Sequence, residues 1–217
     1  MSHFEIVLFS STIVLPAIIG VIRFSNIEKS FYPFIICLWV GTLNEITSTV
    51  VSWLGYSTIL NNNIYVLAEA LLILWQFKEW GLFHGYKKSY ITLMILLVMV
   101  WLFENNNITE LGKLTLHFRL VYSLMIVILS IQLNTSLVFT YKKNLLKSPV
   151  FLLCSGFTVY FTYKILIEVF WVYGLNASID FRKNVYIILT WINGLVNILY
   201  LIAISCIPAK PRYTALS

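Results

Sequence analysis

Charge is what this chain has least of. Asp, Glu, Lys and Arg make up 11% of its 217 residues, less than half of the roughly 25% usual in a globular domain. The deficit runs the length of the chain, which excludes a soluble domain carried on a single anchor. Cysteine is scarce too: Cys37, Cys154 and Cys206 are too few and too scattered for a disulfide framework or a metal knuckle. His3, His84 and His117 have no metal-ligand spacing. No basic run interleaved with aromatics marks a nucleic-acid surface, so the net charge of +6 has to be read through membrane topology. Of five prolines, Pro16 alone stands deep in an apolar segment. No polar stretch is long enough to fold as a domain. Any chemistry therefore sits within the apolar segments or on a separate protein.

What the chain has in excess is hydrophobic residues, 59% of the total, with a mean hydropathy of +0.85. A membrane-spanning helix needs about 20 mostly apolar residues, with a range of about 17–25. Seven segments meet or approach that length: 4–23, 31–54, 62–83, 89–104, 114–137, 149–173 and 183–207. Short polar breaks separate them. The expected fold is all-α: a polytopic integral membrane protein of seven helices forming a single membrane domain over 1–217.

Lys and Arg orient it. Arg23, Lys29, Lys87, Lys88, Lys142, Lys143, Lys147, Lys210 and Arg212 fall in the odd-numbered breaks and the tail, against Lys113, Arg182 and Lys183 in the even ones. The excess puts the odd breaks and the C-terminus on the cytoplasmic side and the N-terminus outside. The first segment has no Lys or Arg before it, as a cleaved signal peptide would. It is expected to be a retained helix. The location expected is the cell membrane, the cytoplasmic membrane in a bacterium, with the lipid bilayer as first partner. Asn107-Ile108-Thr109 and Asn176-Ala177-Ser178 are sequons in the expected outer breaks, relevant only in a eukaryotic secretory pathway.

A shift of about 120 residues lays the second and third segments over the sixth and seventh. Lys29-Ser30 meets Lys147-Ser148, Trp53-Leu54-Gly55 meets Trp171 to Gly174, and Asn63-Ile64-Tyr65 meets Asn184-Val185-Tyr186. The pattern predicts a 3+1+3 parallel repeat, with halves 4–83 and 114–207 and a linker helix at 89–104. Parallel duplication puts a binding site between the halves. Aligning the glycines sets Glu45 opposite Lys164; aligning the asparagines sets Glu69 opposite Thr190 and Gln76 opposite Asn197.

Polar residues within the apolar segments recur every three or four positions, the spacing of one helical face. The second segment carries Glu45, Ser48, Thr49 and Ser52; the third Tyr65, Glu69 and Gln76; the fifth Arg119, Ser123 and Ser130. The sixth carries Tyr160, Lys164 and Glu168, and the seventh Tyr186, Thr190, Asn193, Asn197 and Tyr200. Ionisable groups at depth in a bilayer are costly, face the bundle interior and mark functional positions. At about 1.5 Å per residue, Glu45, Glu69 and Lys164 lie roughly 4–6 Å outward of the middle of their spans, and Arg119 and Glu168 roughly 10 Å. Asn193 is at mid-depth.

The candidate ligand-binding set is thus Glu45, Tyr65, Glu69, Arg119, Lys164, Glu168, Tyr186 and Asn193. The competing reading makes Lys164–Glu168, and Arg119 with Glu69 or Glu45, ion pairs that merely fix helix register. Three acids against two bases leave one negative charge over if all are ionised. That surplus favours a pocket for a small polar ligand or ion, open to the outside.

Two uses of such a pocket follow. One is a sensor or receptor-like protein with a separate cytoplasmic signalling partner. The other is a small secondary transporter, proton-coupled if one acid is protonated, that rocks one half against the other. A membrane-embedded enzyme ranks third, since no nucleophile–base pair is visible. A Schiff base on Lys164 would suit an aldehyde cofactor, but seven-helix photoreceptors carry their lysine on the last helix, and here that helix has none within the span, Lys183 standing at its very start. No cofactor is expected.

Overall fold

The structure, a computed structural model, describes residues 11–105, 114–140, 145–172 and 179–209, apart from the side chains of residues 171–172, 179–184 and 186. It is all-helical. Seven α-helices follow in order: α1 Val14–Arg23, α2 Tyr32–Trp53, α3 Ile59–Glu79, α4 Lys87–Glu104, α5 Leu116–Thr140, α6 Pro149–Val172 and α7 Ile179–Cys206. Short 3-10 turns precede α1, α2 and α6. The described residues contain no strand, only an isolated bridge between Ile27 and Ala209.

The seven helices coincide with the seven apolar segments, within a few residues at most boundaries. The segment expected at 4–23 is described only from Ser11 onward. Both sequons lie outside the described residues. Four helical stretches are long and apolar enough to cross a membrane: Lys29–Trp53, Leu116–Thr140, Pro149–Phe170 and Ile187–Cys206. Helix α3 falls short because Asn61, Asn62, Asn63, Glu69, Gln76, Lys78 and Glu79 dilute it.

The helix exteriors carry the apolar surface. Val121, Leu124, Ile128 and Ile131 on α5, and Leu195, Ile198 and Ile202 on α7, are exposed at steps of three and four. A soluble monomer rarely shows contiguous apolar area beyond a few hundred Å². Meanwhile Glu69, Gln76, Lys164, Glu168 and Asn197 are buried. This outside-apolar, inside-polar arrangement is what lipid solvation demands.

Six helices close into a ring. Helix α1 packs on α2, α2 on α3, α3 on α5, α5 on α6, α6 on α7, and α7 returns to α1. Helix α4 lies against α3 and α5, and Leu97 is the one fully buried residue of its span.

Polar contacts close the helix ends, where backbone groups have no intrahelical partner. At one end of the bundle the Gln76 carboxamide accepts the Phe34 N–H at 2.8 Å and donates to the Ser30 carbonyl, tying α3 to the start of α2. At the same end Arg23 donates to the carbonyls of Ile204 and Ile207. Helix α7 has no basic residue in its own last turn, so Arg23 supplies the cation that its C-terminal dipole favours.

At the opposite end Asn61 donates to Asn44 and Ser48 at 2.8 and 2.9 Å, and Asn63 accepts the Thr115 hydroxyl at 3.2 Å. The sequence reading starts the third segment at 62 and treats Asn61 as part of the break. The structure places Asn61–Asn63 in the first turn of α3, where they clasp α2 and the residues leading into α5.

Glu104 stands at the C-terminus of α4, the wrong end for an acid on its own helix. Its carboxylate instead accepts the N–H groups of His117 and Phe118 at 3.0 and 2.8 Å, capping α5 from outside. Glu104→Ala is expected to destabilise the protein by about 1 kcal/mol, as loss of an N-cap does. His117→Ala should cost less, since its ring is an exposed partner of Glu104. Thermal unfolding of the two variants in detergent checks the ranking.

Candidate functional site

Two interhelical ion pairs stand where the sequence places its charges. Lys164 on α6 meets Glu69 on α3 at 3.2 Å, and Arg119 on α5 meets Glu168 on α6 at 3.7 Å. The partners differ from the register pairs expected above. Lys164 and Glu168 do lie one turn apart, but each reaches across to another helix. The reason is packing: α5 runs alongside α6, so Arg119 comes level with Glu168, and Tyr122, three residues on, comes level with Lys164.

Glu69 is the hub of the first pair. One carboxylate oxygen accepts the Tyr65 hydroxyl at 2.8 Å; the other accepts the Tyr122 hydroxyl at 2.7 Å and the Lys164 ammonium. Lys164 also donates to the Tyr122 oxygen, so lysine, phenol and carboxylate close a triangle between α6, α5 and α3. The rings of Tyr122, Tyr160 and Phe161 stand 5.0, 5.5 and 5.4 Å from the ammonium. Ring faces at that range attract a cation. Glu69 and Lys164 are 6% and 7% exposed, and Tyr122 is fully enclosed. In a medium of low dielectric, such a charge is tolerated only when its lone pairs and protons are taken up. Here they are.

Beside this network lies a cavity of about 90 Å³. Helix α2 gives it Cys37, Gly41 and Glu45; α3 gives Tyr65 and Glu69; α6 gives Phe157, Tyr160 and Phe161; α7 gives Asn193, Asn197 and Tyr200. Along α2 it extends from Phe34 to Glu45, eleven residues or about 16 Å at 1.5 Å per residue. Asn197 donates to Thr12 at 2.8 Å and weakly to Asn193. Lys164 and Arg119 are not among its lining residues; they approach Glu69 and Glu168 from the side of α5 and α6.

The structure thus divides the expected site. Glu45, Tyr65, Glu69 and Asn193 share the cavity, Lys164 joins it through Glu69, and Arg119 with Glu168 forms a separate pair about one helical turn away. Tyr186 is on α7, but its side chain lies outside the described residues. Tyr122 was missed by the sequence reading, although it stands three residues after Arg119 on the same helix. Its hydroxyl made it a fourth polar member of that stripe, where a span-length helix of aromatics and aliphatics had it pass as apolar filling.

Among the described residues no group of three His, Cys, Asp or Glu is placed to hold a metal ion. Cys37 and Cys154 are buried and form no disulfide. Two carboxylates, phenol hydroxyls and amides line the one cavity between four helices.

Apolar helix exteriors around an enclosed charge network define an all-helical protein of membrane type, with several helices long and apolar enough to span a bilayer. No protein-family model, curated protein or solved structure matches the chain.

Proposed function

We propose that this chain is a seven-helix protein of the cell membrane, N-terminus outside and C-terminus cytoplasmic. In this reading it binds a small polar solute or ion in the cavity between α2/α3 and α6/α7, and reports occupancy to a separate cytoplasmic partner. The observation that carries it is the cavity itself: carboxylates, hydroxyls and amides from both ends of the chain converge on one small space at mid-helix depth. A purely structural network would need no room beside it.

The ring of contacts supports the 3+1+3 repeat. If α1, α2 and α3 correspond to α5, α6 and α7, then the α1–α7 seam corresponds to the α5–α3 seam, and both are present. The peripheral α4 is then the linker.

A receptor-like use is favoured by the bracing at the Gln76 end, cytoplasmic in the proposed topology. Arg23 fastens α1 to α7, and Phe34, Phe157 and Tyr200 interlock α2, α6 and α7 with ring centroids 5.2–5.9 Å apart. Transport by rocking would have to break these contacts in every cycle. Transport remains the second reading, favoured by the position of the cavity between the halves.

The test is a stabilisation screen of the purified chain in nanodiscs against small polar solutes, followed by flux of each stabilising solute into proteoliposomes. Saturable stabilisation without flux is the expected result. Saturable flux lost in Glu69→Gln would replace the receptor reading with the transporter. Absence of any stabilising solute would remove the binding site altogether.

A further inference from the structure

The geometry points to a second copy of this chain as the partner of the exposed face of α5, with Gln132 at the centre of the contact. The inference rests on the membrane part of the reading above and on no part of the ligand site. Gln132 is exposed, and its carboxamide makes no hydrogen bond among the described residues. Among those residues it is also the one exposed amide or charged side chain that stands more than two turns from a helix end. Thr162 is exposed at similar depth on α6, but a threonine hydroxyl can bond a carbonyl of its own helix. A carboxamide has two donors and an acceptor to satisfy.

Depth decides what can satisfy them. With the centre of α5 (Ile128) at mid-bilayer, Gln132 lies four residues or about 6 Å from it. The hydrocarbon extends roughly 15 Å to either side. Acyl chains at that level offer no hydrogen bond, and headgroups and water stand further out. An amide in this medium finds its partner on another helix.

Chemistry selects a second copy as the owner of that helix. A carboxamide is donor and acceptor at once, so two Gln132 side chains related by a two-fold axis exchange a pair of N–H···O bonds. All copies insert the same way up. A two-fold axis along the membrane normal therefore brings both side chains to one depth without further adjustment, and isologous pairs of this kind are the commonest assembly.

The surroundings of Gln132 fit such a pair. Val121, Ile128, Gln132, Thr135 and Phe139 are all exposed, at successive steps of seven, four, three and four. This is heptad spacing, the seam along which two parallel helices pack. One polar residue at a core position of a seam fixes its register and the number of strands. Phe139, 85% exposed, stands one heptad beyond Gln132 and closes the contact at the C-terminal end of α5.

The experiment uses the full chain, one batch carrying a donor dye and one an acceptor, co-reconstituted in liposomes over a range of protein-to-lipid ratios. Energy transfer that rises to the level of a dimer as lipid is withdrawn is expected. Gln132→Leu, which only makes the exterior more apolar, should weaken the association about tenfold, the scale of interhelical amide bonds in lipid. Gln132→Asn, which keeps the carboxamide, should lose less. In a chain whose Cys37, Cys154 and Cys206 are alanine, oxidation should join two copies through Gln132→Cys and not through Ile198→Cys on the exterior of α7. Absence of transfer at every ratio, equal transfer in the parent and Gln132→Leu, or cross-linking at 198 as readily as at 132 would overturn the pairing and leave the ligand site untouched. A chain that does not insert into the liposomes would overturn the pairing and the membrane reading together.

Discussion

Lys164→Met is expected to destabilise the folded protein by about 3–5 kcal/mol, the cost of breaking an enclosed ion pair from one side. Without the ammonium, the Glu69 carboxylate keeps only the hydroxyls of Tyr65 and Tyr122, at 6% exposure. Removing both charges together should be far milder. In Glu69→Gln with Lys164→Met the carboxamide still meets the two phenols, and no charge is stranded. The double variant should recover more than half of the loss, because replacing a buried pair as a unit is often close to neutral. Chemical unfolding in detergent of the two single variants and the double gives the coupling directly. A Lys164→Met variant within about 1 kcal/mol of the parent would mean that the pair does not hold α3 to α6.

Gly156→Ala is the second large expectation. A Cβ built at Gly156 falls 2.7 Å from Cε1 of Tyr200. That ring cannot yield freely, since Phe34 and Phe157 pack against it at 5.2 and 5.7 Å. Overpacking of this kind costs about 1–3 kcal/mol. Tyr200 borders the cavity, so its displacement should also reduce ligand affinity. Gly41→Ala is the matched control. Its Cβ would come 2.8 Å from Ile13 Cδ1, the free end of a flexible side chain, and 3.4 Å from the Tyr65 hydroxyl. That variant should lose less than about 1 kcal/mol. Unfolding midpoints of the two variants separate a general effect of adding a methyl group from a specific one at Tyr200.

Helix positions were legible because lipid and bundle interior impose one simple rule, apolar for a span and polar at a break. The expected 31–54 and 149–173 became Tyr32–Trp53 and Pro149–Val172. The rule fails where a polar group is satisfied inside a helix end. Asn61 reads as part of a break, yet it bonds Asn44 and Ser48 from the first turn of α3. Helical period also put Glu69, Lys164 and Glu168 on inward faces, and all three are buried.

Pairing was not legible. Spacing along α6 joins Lys164 to Glu168, but partner choice depends on how far α6 is rotated and shifted against α3 and α5. That is set by side chains such as Phe157 and Phe161, whose contacts no single helix discloses. Tyr122 was hidden for the same reason. A phenol on an apolar helix serves equally as packing or as a hydrogen-bond bridge, and only the arrival of Glu69 and Lys164 decides.

The most direct test of the central claim is whether water-borne reagents reach the cavity from outside. A single thiol is introduced by Asn193→Cys into a chain whose Cys37, Cys154 and Cys206 are alanine. Intact cells are then treated with a small, membrane-impermeant thiol reagent. Modification from outside, slowed by a solute that stabilises the protein, is the predicted result. No modification from outside would contradict it.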